Sequence, residues 1–249
     1  MSNFSEPMMF GVGRMLARQN LSSGVASPLE FGALSDVSLE SKTEIKKFYG
    51  RFSYPIAVAD GKVEIMIKAK SGSIKADVFN KLYFGATSTA TQKKYADGEA
   101  GLIPSSSTYT VTVANAATFV EDWGVINAVT GLQMTQVASG PAAGQYSVSA
   151  GVYTFAAANP GVAVAISYRY STTSGLKIPI SQTLMGAARP TFSLLLANSF
   201  DGRQSTFMLN MCRSGKLNLP FKDDFTVAEL EIEASADATG QIGEWSADA

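Results

Sequence analysis

Residues Asp60–Gly85 read DGKVEIMIKAKSGSIKADVFNKLYFG, and a change of period inside this stretch decides the fold. From Lys62 to Lys70 the chain alternates: Lys62, Glu64, Met66, Lys68 and Lys70 fall on one side, Val63, Ile65, Ile67 and Ala69 on the other. Period two with one apolar and one charged side is the pattern of a half-buried strand. Ser71-Gly72 interrupts it. Ile74, Val78 and Leu82 then follow at helical spacing, with Phe79 and Tyr83 widening the stripe. Ser73 stands where a helix would be capped and Gly85 where it would end, which places one helix over residues 73–84. Nearly everything else reads as strand and turn, so the expected class is mainly β with one flanking α-helix.

On the N-terminal side, residues 1–30 mix Met, Gly, Ser and Pro and read as an arm. Residues 31–40, FGALSDVSLE, hold a strand around Leu34–Leu39. Residues 41–60, SKTEIKKFYGRFSYPIAVAD, set Lys42, Lys46, Lys47 and Arg51 among Phe48, Tyr49, Phe52 and Tyr54. Cations interleaved with aromatics can stack on nucleic acid and neutralise it. Glu44 and Asp60 dilute this cluster, which favours a long β-connection whose aromatics dock on a neighbouring surface.

On the C-terminal side the composition breaks. From Ser105 through Tyr168 there is no Lys or Arg, and only Glu121 and Asp122 are charged. Short alternating runs (YTVTV at 109–113, GQYSVS at 144–149, VYTF at 152–155, VAVAISYRY at 162–170) are separated by Gly- and Pro-bearing turns. Polar punctuation on both sides gives 105–172 the look of an inserted, immunoglobulin-like small β-sandwich module, against the alternative of one larger sheet with a charge-poor middle. The remainder, 1–104 with 173–249, would be the core. There FSLLLAN and QSTFMLNMC make a hairpin around Asp201-Gly202. TVAELEIEA at 226–234 puts Glu229, Glu231 and Glu233 on one side of a strand, and a short extended tail follows.

With 249 residues the chain buries a sizeable core, and its 20 basic against 21 acidic residues announce no nucleic-acid binder. Charged residues are only 16%, below the roughly 25% of an average domain. That fits either a surface covered by other subunits or a compact β protein rich in small polar residues. There is no His and one Cys, Cys212, in an apolar run. This removes His-based triads, His-containing metal sites and disulfide scaffolds. Gly-Val-Gly at 11–13 lacks a third glycine and a preceding strand, and no Gly-x-Ser-x-Gly elbow occurs. Neither an enzyme nor a cofactor or metal is expected. MSNFSEPMMFG lacks the charged and apolar regions of a signal peptide, and no apolar run reaches the roughly 18 residues of a spanning helix. The expectation is a soluble chain made in the cytoplasm.

The order of segments resembles the major tail tube proteins of long-tailed bacteriophages. The resemblance rests on FGALSDVSL, the 41–60 connection, KVEIMIKAKSG leading into ADVFNKLYFG, and the closing FKDDFTVAELEIEASADATGQIG. GPAAGQYSVSAGVYTFAAANPGVAVAISYRYS resembles β-modules carried within phage tail proteins. The resemblance implies a tail-tube-like β-sandwich or barrel, assembling into hexameric rings that stack into a tube. Its lumen would conduct the viral DNA without specific binding. It also implies a place in the virion tail after assembly in the host cytoplasm, and tape measure, tail terminator and tip proteins as partners besides the chain itself. Lys46, Lys47, Phe48, Tyr49, Arg51, Phe52 and Tyr54 would contact the next ring. Glu229, Glu231, Glu233, Lys62, Glu64, Lys68 and Lys70 are the candidates to line the lumen.

Two rivals stand beside this reading. One is a virion decoration or adhesion protein binding a host surface or glycan through 105–172, with Trp123, Tyr146, Tyr153, Tyr168 and Tyr170 as stacking platforms. Aromatics in such modules belong more often to the core. The other is a subunit of a related contractile injection or secretion tube.

Overall fold

Alternation of Leu and Ile with Glu along the last long strand, and of Ile and Ala with Lys along Val63–Lys70, makes two half-buried strands whose apolar faces need a common cover. The computed structural model describes residues 10–73, 75–185 and 189–248, and the chain divides into two units, Met1–Thr87 with Ile178–Ala249, and Ser88–Lys177. The first unit begins with β1 (Arg14–Gln19), β2 (Leu29–Glu30), β3 (Leu34–Phe48), β4 (Ala57–Ser71) and α1 (Ala76–Phe79). The second holds β5 (Gln92–Leu102), β6 (Thr110–Thr112), β7 (Phe119–Asn127), β8 (Thr135–Gln136), β9 (Gln145–Ser149), β10 (Val152–Phe155) and β11 (Ala163–Thr172). The chain returns to the first with β12 (Phe192–Phe200), β13 (Arg203–Asn218), β14 (Ala228–Ser235) and β15 (Gly243–Ala247).

The first unit is one antiparallel sheet in the order β2-β1-β12-β13-β14-β4-β3, with β15 beside the first half of β13. Strand β14 is central: Ile232 lies opposite Ile67 and Leu230 opposite Ala69, and none of the four is more than 3% exposed. Val78, Phe79 and Leu82 pack against this face. The sheet coils enough for Val37 and Leu39 of β3 to share a cavity of about 330 Å³ with Leu196 of β12 and Phe207 of β13, strands separated from β3 by β14 and β4. The β12–β13 hairpin turns on Asp201 and Gly202, φ 52° and 79°, the paired left-handed geometry that a two-residue hairpin requires.

The helix is shorter than its stripe implies. Only Ala76–Phe79 is α-helical, and Asn80–Phe84 forms a π turn. The cause is local. Asn80 clasps Ala86, donating from Nδ2 to its carbonyl at 2.8 Å and accepting its N–H at 3.1 Å, while its own carbonyl accepts the Gly85 N–H at 2.6 Å. Gly85 ends the turn at φ 61°, as its position suggests, but Lys75 rather than Ser73 occupies the cap, and it has no side-chain cap bond. Ile74 lies outside the described residues.

Three boundaries need correction. Residues 1–30 are not wholly an arm: β1 and β2 lie within them and bury Met15, Ala17 and Leu29, while 1–9 lie outside the described residues. The 41–60 segment is not a loop, because β3 runs on to Phe48 and pairs with β4 down to Ala57. The second unit starts at Ser88 rather than 105, since β5 pairs with β11 from Gln92 opposite Thr172 to Leu102 opposite Ala163. Lys93, Lys94, Asp97 and Glu99 give β5 the charged style of the first unit, which hides its membership. The ends of this unit meet where Thr89 and Lys177 exchange backbone hydrogen bonds of 3.1 and 3.0 Å.

The second unit is a sandwich of sheets β6-β10-β9-β8 and β5-β11-β7 around Ile103, Val113, Val125, Phe155, Val164, Ile166 and three buried tyrosines. Tyr146 and Tyr153 donate to the two carboxylate oxygens of Asp122 at 2.5 and 2.7 Å, and Tyr168 donates to Glu99 at 2.5 Å. Burial first, then these carboxylates, push all three phenols above the ordinary tyrosine range.

Two outcomes follow from this packing. Ile232→Ala lowers stability by about 2–5 kcal/mol in denaturant titration, through lost burial and a cavity between β4 and β13. Because the three phenols ionise less readily folded than unfolded, their contribution is complete below about pH 10 and is lost as pH rises further. Tyr153→Phe lowers stability at neutral pH by about 1.5–3 kcal/mol and makes the alkaline loss shallower, read by unfolding at a series of pH values.

Candidate self-association surface

Antiparallel pairing carries β3 and β4 beyond the core that holds their roots. At Leu39 and Ile67 the hairpin still packs on the sheet interior; from Lys42 to Phe48 and from Ala57 to Asp60 every residue is exposed. Among the described residues the hydrogen bonds that hold this part are those of the backbone ladder, with a register shift between Thr43 and Ile45 opposite Gly61. A Cβ on Gly61 would meet the Glu44 carbonyl oxygen at 2.9 Å, so only glycine fits this bulge without a shift. The end is closed by Ile56 N–H donating to the Phe48 carbonyl at 2.8 Å and by a turn in which Phe52 N–H donates to the Tyr49 carbonyl at 3.1 Å.

This projection gathers all seven residues that the sequence puts forward for inter-ring contact: Lys46, Lys47, Phe48, Tyr49, Arg51, Phe52 and Tyr54. Their apolar parts are not folded back on the chain: Tyr54 is 82% exposed and Phe48 64%. Ile45, Ile56, Val58 and Val63 are exposed beside them. The Arg51 guanidinium lies 5.7 Å from the Phe52 ring centre. A hairpin of this length with so much apolar side chain in water is a candidate interaction surface.

The lumen candidates fall on the sheet face opposite the core. Glu229 lies opposite Lys70, Glu231 opposite Lys68 and Lys216, and Glu233 opposite Met66 and Arg213. In the next column Lys68 meets Glu40 at 2.8 Å and Lys70 meets Asp36 at 3.7 Å, and Glu64 lies opposite Lys42. Lys216 meets Glu231 at 3.5 Å. The Glu40 hydrogen bond, then its charge, raises the Lys68 ammonium above its ordinary value. The three glutamates are therefore one column in a checkerboard of alternating sign, not a bare acidic stripe. Lys62 adjoins the bulge at Gly61, farther along the projection.

In the second unit the aromatic platforms separate. Tyr146, Tyr153 and Tyr168 are buried and Tyr170 is half-buried, which removes them as stacking surfaces. Trp123 stays 59% exposed at the rim of an open cleft of about 470 Å³ that Gln133, Thr135 and Gln136 also line.

Compared with known proteins, no protein-family model matches this chain and no curated protein matches it. Among the described residues no group of His, Cys, Asp and Glu could hold a metal ion, and no helix is long and apolar enough to cross a membrane. Cys212 is buried, and burial pushes its thiol up to about 12.

Reasoning from the sequence did not single out the exposed connection between β13 and β14. Phe221 and Phe225, in the connection from β13 to β14, are 96% and 89% exposed. Two phenylalanines flanking Lys-Asp-Asp, the first at the close of the alternating KLNLPF, were the available signal.

Because the tip residues touch so little of their own chain, Phe52→Ser and Tyr54→Ser leave the thermal midpoint unchanged within about 0.5 kcal/mol of stability. A large loss in calorimetry would place these rings in the fold instead.

Proposed function

We propose that the chain is a structural subunit of a bacteriophage tail tube, without enzymatic activity. Copies form hexameric rings, the rings stack, and the lumen conducts viral DNA during ejection. The observation that carries this reading is the β3–β4 hairpin, which extends beyond its core with cations, aromatics and aliphatics exposed together. A subunit that lives alone gains nothing from this surface, whereas one that stacks on its neighbours buries it. The open edge of β3, unpaired along fifteen residues among those described, adds a second polymerising feature. The checkerboard face suits the wall of a conduit, since alternating charges cancel at a distance and hold no polyanion by a basic stripe. Tape measure, terminator and tip proteins would be further partners, and the virion tail its destination.

Trp123 favours a second reading. An exposed indole beside amide and hydroxyl side chains is suited to stack on a sugar ring and hydrogen-bond its hydroxyls, so the second unit would serve adhesion.

Negative-stain electron microscopy with light scattering decides between them. The intact chain forms rings or tubes about a hundred ångström wide, the width expected of six domains of this size around a channel. A variant with residues 46–57 replaced by Asn-Gly stays monomeric. A chain that remains monomeric at every concentration, while Trp123→Ala abolishes binding on a glycan surface, would support adhesion and overturn the tube.

A further inference from the structure

The exposed connection from β13 to β14 answers the hairpin tip in chemistry and lies at the opposite end of the same strand. Resting on the tube reading, we propose that the tip of one copy docks on Phe221–Phe225 of the next, so that subunits join head to tail along β4.

Position comes first. The ladder between β13 and β14 ends where Asn218 lies opposite Glu229, and Ala228, the first residue of β14, lies opposite Ser71. Ser71 is the last residue of β4, and Ala57, its first, abuts the tip. The two surfaces are separated by the full fifteen-residue strand, about 45–50 Å of extended chain. Two different patches at opposite ends make a heterologous contact, which repeats from copy to copy instead of closing as a dimer.

Charge comes second. The projection carries Lys42, Lys46, Lys47 and Arg51 against Glu44 and Asp60, and from Lys46 to Ala59 its end is purely cationic. The connection carries Asp223 and Asp224 against Lys222, which sits 3.8 Å from Asp224 and leaves Asp223 without an ion pair among the described residues. Tip against tip would set these cations against their own copies, so an isologous contact is disfavoured. Apolar complementarity comes third. Phe221 and Phe225 stand almost wholly in water on one side, Phe48, Phe52 and Tyr54 on the other, and aromatic groups of this kind supply the core of a contact whose rim is charged.

Charge reversal with rescue tests this. D223K/D224K and K46E/K47E each raise the concentration at which stacked assemblies form by about tenfold or more in sedimentation and electron microscopy. K46E/K47E/D223K/D224K in one chain recovers stacking. S53C with D223C yields a ladder of disulfide-linked oligomers on oxidation, with buried Cys212 silent. Stacking of D223K/D224K at the wild-type concentration, without a ladder, overturns the docking and leaves the tube reading standing. A wild-type chain that neither assembles nor cross-links overturns both. Loss of stacking in both single-end variants without rescue overturns the pairing of these two surfaces, because each end would then need a different partner.

Discussion

The first unit depends on β14 lying between β4 and β13. This one strand joins the N-terminal hairpin to the β12–β13 hairpin, and it comes from a part of the chain more than 150 residues beyond the β4 residues it pairs with. Ile232 and Leu230 on its inner side are sealed by Ile67, Ala69 and the turn that carries Leu82. Without β14 the two hairpins would each expose an apolar face. The pairing is strongly non-local, so the loop entropy of an entire intervening unit must be met before it forms. The meeting of Thr89 and Lys177 lowers that cost, because a folded second unit brings the two halves of the first within reach.

The same pairing defines the outer face and the projection. Once β14 registers on β4, alternation forces Glu229, Glu231 and Glu233 to the side away from the core, against Lys70, Lys68 and the cations of β13. Where β14 ends, near Ser235, β3 and β4 lose that neighbour and continue as a two-stranded ribbon. A ribbon of two strands has no interior. Its side chains are exposed on both faces whatever their hydrophobicity, which is why Ile45, Val58 and Val63 stand in water. The projection follows from a difference in strand length.

The second unit solves a different problem. It buries three tyrosines and satisfies their hydroxyls with Asp122 and Glu99, two of the few carboxylates in its sequence. A buried phenol without an acceptor costs about 1–3 kcal/mol, and two of this unit's four carboxylates, Glu99 and Asp122, stand where the core needs acceptors.

Alternation and turn chemistry are local, and the sequence by itself determined what rests on them: the strand character of Lys62–Lys70 and of TVAELEIEA, the Asp201-Gly202 hairpin, the left-handed Gly85, and the gathering of cations and aromatics at 46–54. The tertiary structure decided which strands pair, and with that everything that depends on partners. It turned 41–60 from a connection into a ribbon, since Lys46 and Val58 are strand residues only because Ala59 and Lys47 face them. It drew β5 into the second unit through β11, against its charged composition. It cancelled the acidic column with lysines from another strand, and it buried Tyr146, Tyr153 and Tyr168 while leaving Trp123 and Phe221 in water. Period and propensity act over a few residues, whereas register and burial are set by contacts between segments far apart in the chain, and no local pattern encodes them.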